Sequence, residues 1–316
     1  MQLNRNVTDE VINSWYGQAT VRYTPRIMVP DYAGDELIYP VERSVVAGHP
    51  LVEAKGKSVV SYVLTQSAYQ FLFGVGLLET KFVIQCSLNL LHGRIGEPSD
   101  LEKLQALTVV VDEAYHAQVA LDYIIQMKSK SGIDPLVVPE TNRKLDATQR
   151  VYDALPPELH MDFQLLAVTL AESVLTNEIA NLGRENGLAK TFITVMTDHV
   201  KDEGRHSKYF AKLMTSRWAQ LSPDVQLRFG AMLPDYLDDF LAMDMGRPMD
   251  RKVLKACGLD GQEIEKVISD TRQRVEADHE EQSYRTKVRL FKLLRQIGVL
   301  DHQQNRLAFT TRTYAA

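Results

Sequence analysis

The sequence predicts an all-α protein, and three observations carry that expectation. Apolar residues recur at helical spacing from Val59 almost to the C-terminus. Glycines and prolines interrupt the pattern about once per helix length, and no alternating strand pattern of comparable strength competes with it. Long helices are expected at about 58–92, 99–129, 157–185, 189–217, 223–245 and 261–297, with shorter ones at 142–154 and 249–256. His92-Gly93, Ser131-Gly132 and Gly246 are stop signals, Pro157 and Pro223 suit first-turn positions, and Ser99 and Asp100 can cap the second long helix.

The first sixty residues read differently. After a short helix near 8–18, the stretch TPRIMVPDYAGDELIYPVERSVVAGHP is broken repeatedly by Pro and Gly. Residues 1–57 are therefore expected to form an arm packed on the bundle, and residues 58–316 the helical bundle with its C-terminal helices, one domain overall.

Composition narrows the function classes. The net charge of −5 is spread along the chain and no basic patch is interleaved with aromatics, so no nucleic-acid partner is expected. Cys86 and Cys257 are too few for a disulfide framework or a four-thiolate metal site, and read as packing residues. The N-terminus MQLNRNVTDEVINSW lacks the apolar core of a secretory signal. The most apolar stretch, residues 69–91, carries Glu79, Lys81, Gln85 and Asn89, which argues against a membrane span. A cytoplasmic, reduced protein is expected.

Four helices carry acids or imidazoles where a packed helix should not want them. Glu79 in FLFGVGLLETKFVIQCSLNLL and Glu172 in LLAVTLAESVLTNEIANL have apolar neighbours on nearly every side. A buried unpaired carboxylate costs several kcal/mol unless it is neutral, paired or bound to a cation. No Arg lies in either apolar segment to pair with them, and Glu178, six residues after Glu172, is expected nearer the surface. Two further helices carry Glu-x-x-His: Glu113 with His116, and Glu203 with His206. That spacing places both side chains on one helix face, one turn apart, and His199 adds an imidazole to the second face.

One Glu-x-x-His means little, because chance supplies roughly half an instance in such a chain. Glu276 and His279 match it on a helix charged all round, and read as a solvated face. The order of the motifs carries the signal. A lone buried Glu precedes each of the other two pairs by about thirty residues, one helix down and the next back. Two helices giving one Glu each and two giving Glu-x-x-His is the constellation of ferritin-like di-metal carboxylate bundles. Four carboxylates with histidines suit a pair of iron or manganese ions better than zinc. Metal-bound imidazoles usually give their second N–H to a carboxylate, so Asp112 and Asp202 are candidates to back the ligands; aspartates on a solvated helix face are the alternative.

The chain resembles the p-aminobenzoate N-oxygenase family of di-iron arylamine oxygenases. The likeness runs through Val29-Pro30-Asp31-Tyr32, His49-Pro50-Leu51, Glu79 with His92-Gly93, Asp112-Glu113-x-x-His116, Ala171-Glu172 and His199-x-x-Asp202-Glu203-x-x-His206. It implies a seven-ligand site of Glu79, Glu113, His116, Glu172, His199, Glu203 and His206 holding two irons, with O2 as co-substrate. The implied reaction carries oxygen to the nitrogen of a primary amine, through hydroxylamine and nitroso towards nitro. Relatives act on aminobenzoates, larger aryl amines or carrier-tethered aminoacyl thioesters. An external electron donor and a homodimer are implied as partners. The likeness also nominates Arg285, in QSYRTKVRLFKLL, as an anchor for a substrate carboxylate, with a surface arginine as the alternative. A hydroxylase or radical generator of the same architecture, and an iron-storage protein, are the competing readings.

Overall fold

A computed structural model of the chain describes residues 5–29, 37–185 and 187–310. Of the resembling arm motifs, Pro30, Asp31 and Tyr32 lie outside the described residues. In chain order the helices are α1 Arg5–Gln18, α2 Pro50–Glu53, α3 Lys57–Leu78, α4 Ile84–Leu91, α5 Asp100–Ser131, α6 Arg143–Ala154 and α7 His160–Leu182. They continue as α8 Lys190–Gln220, α9 Pro223–Phe240, α10 Pro248–Ala256, α11 Gly261–Asp270, α12 Arg272–Ile297 and α13 Gln303–Thr310. No sheet forms among the described residues; an isolated bridge between Leu37 and Leu188 ties the arm to the α7–α8 connection. The all-α expectation holds, with a bundle of α3–α4, α5, α7 and α8 and further helices after it.

Most starts and stops are ones the sequence signals, but α9 ends at Phe240, six residues before the expected stop at Gly246. Ser99 and Glu102 form a reciprocal capping box on α5, Asn142 caps α6, and Ser222 caps α9 just before Pro223. Gly132 ends α5 at φ 69°, a left-handed position where glycine carries no Cβ penalty. Two further local features depart from the expectation. The helix expected at 58–92 contains a π turn over Glu79–Val83 between α3 and α4. The helix expected at 261–297 is broken at Thr271, whose hydroxyl donates to the Val267 carbonyl and accepts from the buried Arg247.

Two apolar clusters occupy opposite ends of the bundle. One joins Leu78, Val109, Phe163, Phe210 and Leu290; the other joins Tyr69, Val75, Tyr123, Leu175 and Phe192. The polar residues singled out above lie in the layer between them. Residues Lys57–Leu91 are long and apolar enough to cross a membrane by composition. They are spent instead on this core: Tyr69, Leu72 and Leu78 are buried, as are Gln66 and Glu79, and the Gln66 amide donates to the Asp134 carbonyl at 2.8 Å and accepts from the Leu136 amide at 3.0 Å.

At the far end α13 is seated on α9 through Asn305, whose amide donates to the Val299 carbonyl at 2.8 Å. It lies flush against Gly230, where a Cβ would overlap the Asn305 amide. Gly230→Ala gains about 1 kcal/mol of helix propensity. Overpacking costs about 1–3 kcal/mol, and the displaced amide loses about 1 kcal/mol for its hydrogen bond. We expect a net loss of about 1–3 kcal/mol in urea unfolding, with the ability to bind metal intact.

Candidate metal centre

Each of the four bundle helices delivers its acids and imidazoles to one buried layer. Glu79 enters at the π turn, where the extra residue resets the helix phase. Glu113 and His116 come from α5, Glu172 from α7, and His199, Glu203 and His206 from α8. All seven are buried, and the four glutamates are wholly inaccessible.

Their donor atoms converge as two groups. Glu79, Glu113, His116, His199 and Glu203 offer atoms within 4.8 Å of one another, as do Glu113, Glu172, Glu203 and His206. Glu113 and Glu203 belong to both, which is the geometry of carboxylates shared between two ions. His199 Nε2 lies 2.9 Å from Glu79 and 3.0 Å from Glu203, and His206 Nδ1 lies 2.9 Å from Glu113. The His116 and His199 rings stack at 4.0 Å.

The unsatisfied atoms test whether cations fit. Both oxygens of Glu79, Glu113 and Glu172, one of Glu203, and Nδ1 of His116 and His206 are buried without a hydrogen-bond partner. Some of these atoms are within 3 Å of each other yet not aligned as hydrogen bonds. Donors that crowd together without bonding each other are aimed at a common point, and an all-oxygen and imidazole set suits iron.

The electrostatics agree. Burial pushes the Glu79 and Glu172 carboxyls upward, Glu172 strongly, with Glu203 and Glu113 adding to the effect on Glu172. Burial acts the same way on Glu113 and Glu203, but the imidazoles beside them outweigh it and hold both below the usual carboxylate range. Burial would lower His116, yet Asp202 and Glu113 raise it to about 10. His199 and His206 are raised too, against burial, by the carboxylates around them. The cage is rich in negative charge and holds positive charge tightly.

Two aspartates stand behind the imidazoles, and they do so crosswise. Asp112 of α5 accepts from His206 Nε2 of α8 at 3.1 Å, and Asp202 of α8 accepts from His116 Nε2 of α5 at 3.0 Å. Each leaves Nδ1 of its histidine facing the cluster. Arg205 donates to both aspartates and joins the two straps. The arm closes the arrangement: Trp15 Nε1 donates to Asp112 at 3.0 Å, and the Thr20 amide and hydroxyl donate to Asp202. Asp202 is held well below the usual carboxylate range: burial alone would raise it, and hydrogen bonds from His116, Thr20 and Arg205 overcome that. Among the described residues His199 has no such backing; its polar contacts are with Glu79 and Glu203 through Nε2.

The structure leaves other nominated residues outside. Arg285 does not join the cluster; its side chain is 72 % exposed and paired with Glu281 one turn away, so the anchor role has no support in its position. Glu178 is partly exposed and paired with Lys144 at 3.0 Å. Glu276 is exposed, 3.7 Å from Arg272, while His279 is half-buried rather than fully solvated. Trp15, Thr20 and Arg205 drew no attention in the sequence. Their partners are 97, 182 and 93 residues away, a separation no local pattern reports.

A ferritin-like helical bundle with two carboxylate-sharing donor groups in its core defines a non-haem di-iron protein. Residues 32–298 match the family described as P-aminobenzoate N-oxygenase AurF, and the chain belongs to that family. It is an O2-dependent di-iron oxygenase. A search of curated proteins finds no match.

Two outcomes follow. Glu203→Ala removes a donor from both groups and is expected to abolish binding of both irons, whereas Glu172→Ala, a donor to one group, retains about one iron per chain. Metal analysis after gel filtration checks this, and equal losses would contradict shared carboxylates. Trp15→Phe combined with Thr20→Val is expected to weaken metal binding about 10- to 100-fold with helicity unchanged, read by competition with a chelator.

Proposed function

We propose that the enzyme oxidises the nitrogen of a primary amine, an arylamine or a carrier-tethered aminoacyl amine, to the hydroxylamine and onward to nitroso or nitro. The observation that carries the reading is His199. Its Nε2 meets Glu79 and Glu203 inside the larger donor group, giving that group a second imidazole where the other has one. An added neutral donor stabilises oxidised iron and tunes its reactivity, and the family likeness points to nitrogen as the target.

When bound, the two irons supply the redox chemistry with O2. In the first oxidation one oxygen atom enters an N–H bond and the other leaves as water, with two electrons and two protons drawn from an external donor. The chain supplies position and dryness. The apolar clusters on either side of the ligand layer exclude water. Two adjoining cavities of about 530 and 400 Å³ share Met243, His279 and Gln282. The second is floored by Leu78 and Leu175, one residue before Glu79 and three after Glu172, and edged by Arg143 and Lys144. Volumes of that order hold an arylamine or the end of an aminoacyl arm. We read this as the amine's approach. The reading places the enzyme in a reducing cytoplasm, in keeping with the free thiols of Cys86 and Cys257.

The test loads the chain with iron, reduces it without oxygen, admits O2 and offers p-aminobenzoate or an aminoacyl thioester. Mass spectrometry should find oxygen on nitrogen with one amine class favoured at least about tenfold. Oxygen on carbon only, or O2 consumption indifferent to every amine, would sink the reading and leave the di-iron centre standing.

A further inference from the structure

We propose that electrons reach the metal centre through the indole of Trp15, delivered by an acidic one-electron carrier protein that docks on the arm. The route is a chain of hydrogen bonds. Trp15 Nε1 lies 3.0 Å from each oxygen of Asp112, and Asp112 accepts from His206 Nε2 at 3.1 Å. His206 turns its other nitrogen, Nδ1, to the donor group. From a half-buried ring to a metal-facing nitrogen there is no gap wider than a hydrogen bond.

The other approaches differ. Apolar clusters close the ligand layer on both sides. The second strap, from His116 through Asp202, ends in the amide and hydroxyl of buried Thr20 and in Arg205. Asp112 has Arg205 as a donor already, so a prop alone does not call for an indole. What the indole adds is a delocalised π system, and a second ring continues it outward. Tyr16 meets Trp15 edge-to-face with centroids 5.1 Å apart, and Tyr16 is 52 % exposed. The chain of contacts therefore opens at solvent.

The surface at that opening fits a negatively charged partner. Arg22 is exposed and lays its guanidinium 4.6 Å from the Tyr16 centroid and 5.9 Å from that of Trp15. Among the described residues no carboxylate pairs with it. Tyr23, next in the chain, is 55 % exposed. Electron-transfer encounters use small surfaces, so a few aromatic and cationic groups suffice. Each docking oxidises one carrier and reduces one ferric ion to ferrous; two dockings supply the two electrons that each substrate oxidation takes. The inference needs only the O2-dependent di-iron centre and stands whichever substrate bond is oxidised.

The oxidised, iron-loaded full chain is mixed without oxygen with reduced plant-type ferredoxin, an acidic iron–sulfur carrier, or with dithionite, a small reductant. Freeze-quench Mössbauer spectra, with labelled iron in the chain alone, follow ferric iron becoming ferrous. Ferredoxin should reduce the parent at a rate that falls as salt is raised. Trp15→Phe should lower the ratio of the ferredoxin rate to the dithionite rate, per bound iron, at least about tenfold. A role in supporting the ligands alone slows both reductants alike and leaves that ratio unchanged. Arg22→Glu should raise the dissociation constant for oxidised ferredoxin at least about tenfold by calorimetry, with iron content unchanged. A parent that ferredoxin does not reduce, an unchanged rate ratio in Trp15→Phe, or unchanged binding in Arg22→Glu would overturn the proposal.

Discussion

The constraint on which this fold depends is the burial of four carboxylates and three imidazoles in one layer of a helical core. Each ionised group placed there costs several kcal/mol unless compensated, and nine of their donor atoms have no hydrogen-bond partner. A bundle can carry such a layer only if packing on both sides is strong. The two apolar clusters supply that: Phe163, Phe210 and Leu290 on one side, Tyr69, Tyr123 and Phe192 on the other, all essentially inaccessible. The same arrangement that makes the layer tolerable keeps it dry. Stability and chemistry thus use one set of contacts.

Compensation without metal comes from the imidazoles, and their orientation is set from outside the layer. Because Asp112 serves the histidine of α8 and Asp202 the histidine of α5, neither helix can rotate without disturbing the other's ligand. Arg205 ties the straps together, and the arm enters between them with Trp15 and Thr20. An N-terminal segment far away in sequence thereby becomes part of the precision of the centre. Rigid support of this kind separates a reactive metal site from an accidental cluster of acids.

Much of this was legible in the sequence for a physical reason. Glu79 and Glu172 sit in segments so apolar that almost any helix rotation buries them, so their charge had to be explained. Their order relative to the two Glu-x-x-His pairs then fixed the architecture. The π turn was not legible, because the helical period runs from α3 into α4 without a Gly-Pro break and nothing in it marks a five-residue turn. The break at Thr271 depends on Arg247 reaching from before α10, a tertiary contact. Arg285 rests on likeness alone, and its side chain is turned outward to Glu281, in keeping with the alternative of a surface arginine. The straps were half legible, since the aspartates stood out beside the ligands while their crossing between helices did not.

The two donor groups are unequal, and that inequality bears on what the centre can do. Glu172 serves the smaller group with both oxygens unpartnered, and no charged group outside the layer is bonded to it. His199, in the larger group, lacks the carboxylate backing that fixes His116 and His206. Glu79 and Glu172, one in each group, are the unshared carboxylates with neither oxygen hydrogen-bonded, while the shared Glu113 and Glu203 lie beside imidazoles of α5 and α8. The cavity floor at Leu78 and Leu175 lies on the helices that carry Glu79 and Glu172, away from the straps. The protein thus sets the cavity beside the helices of the unshared carboxylates and the arm against the strapped helices α5 and α8.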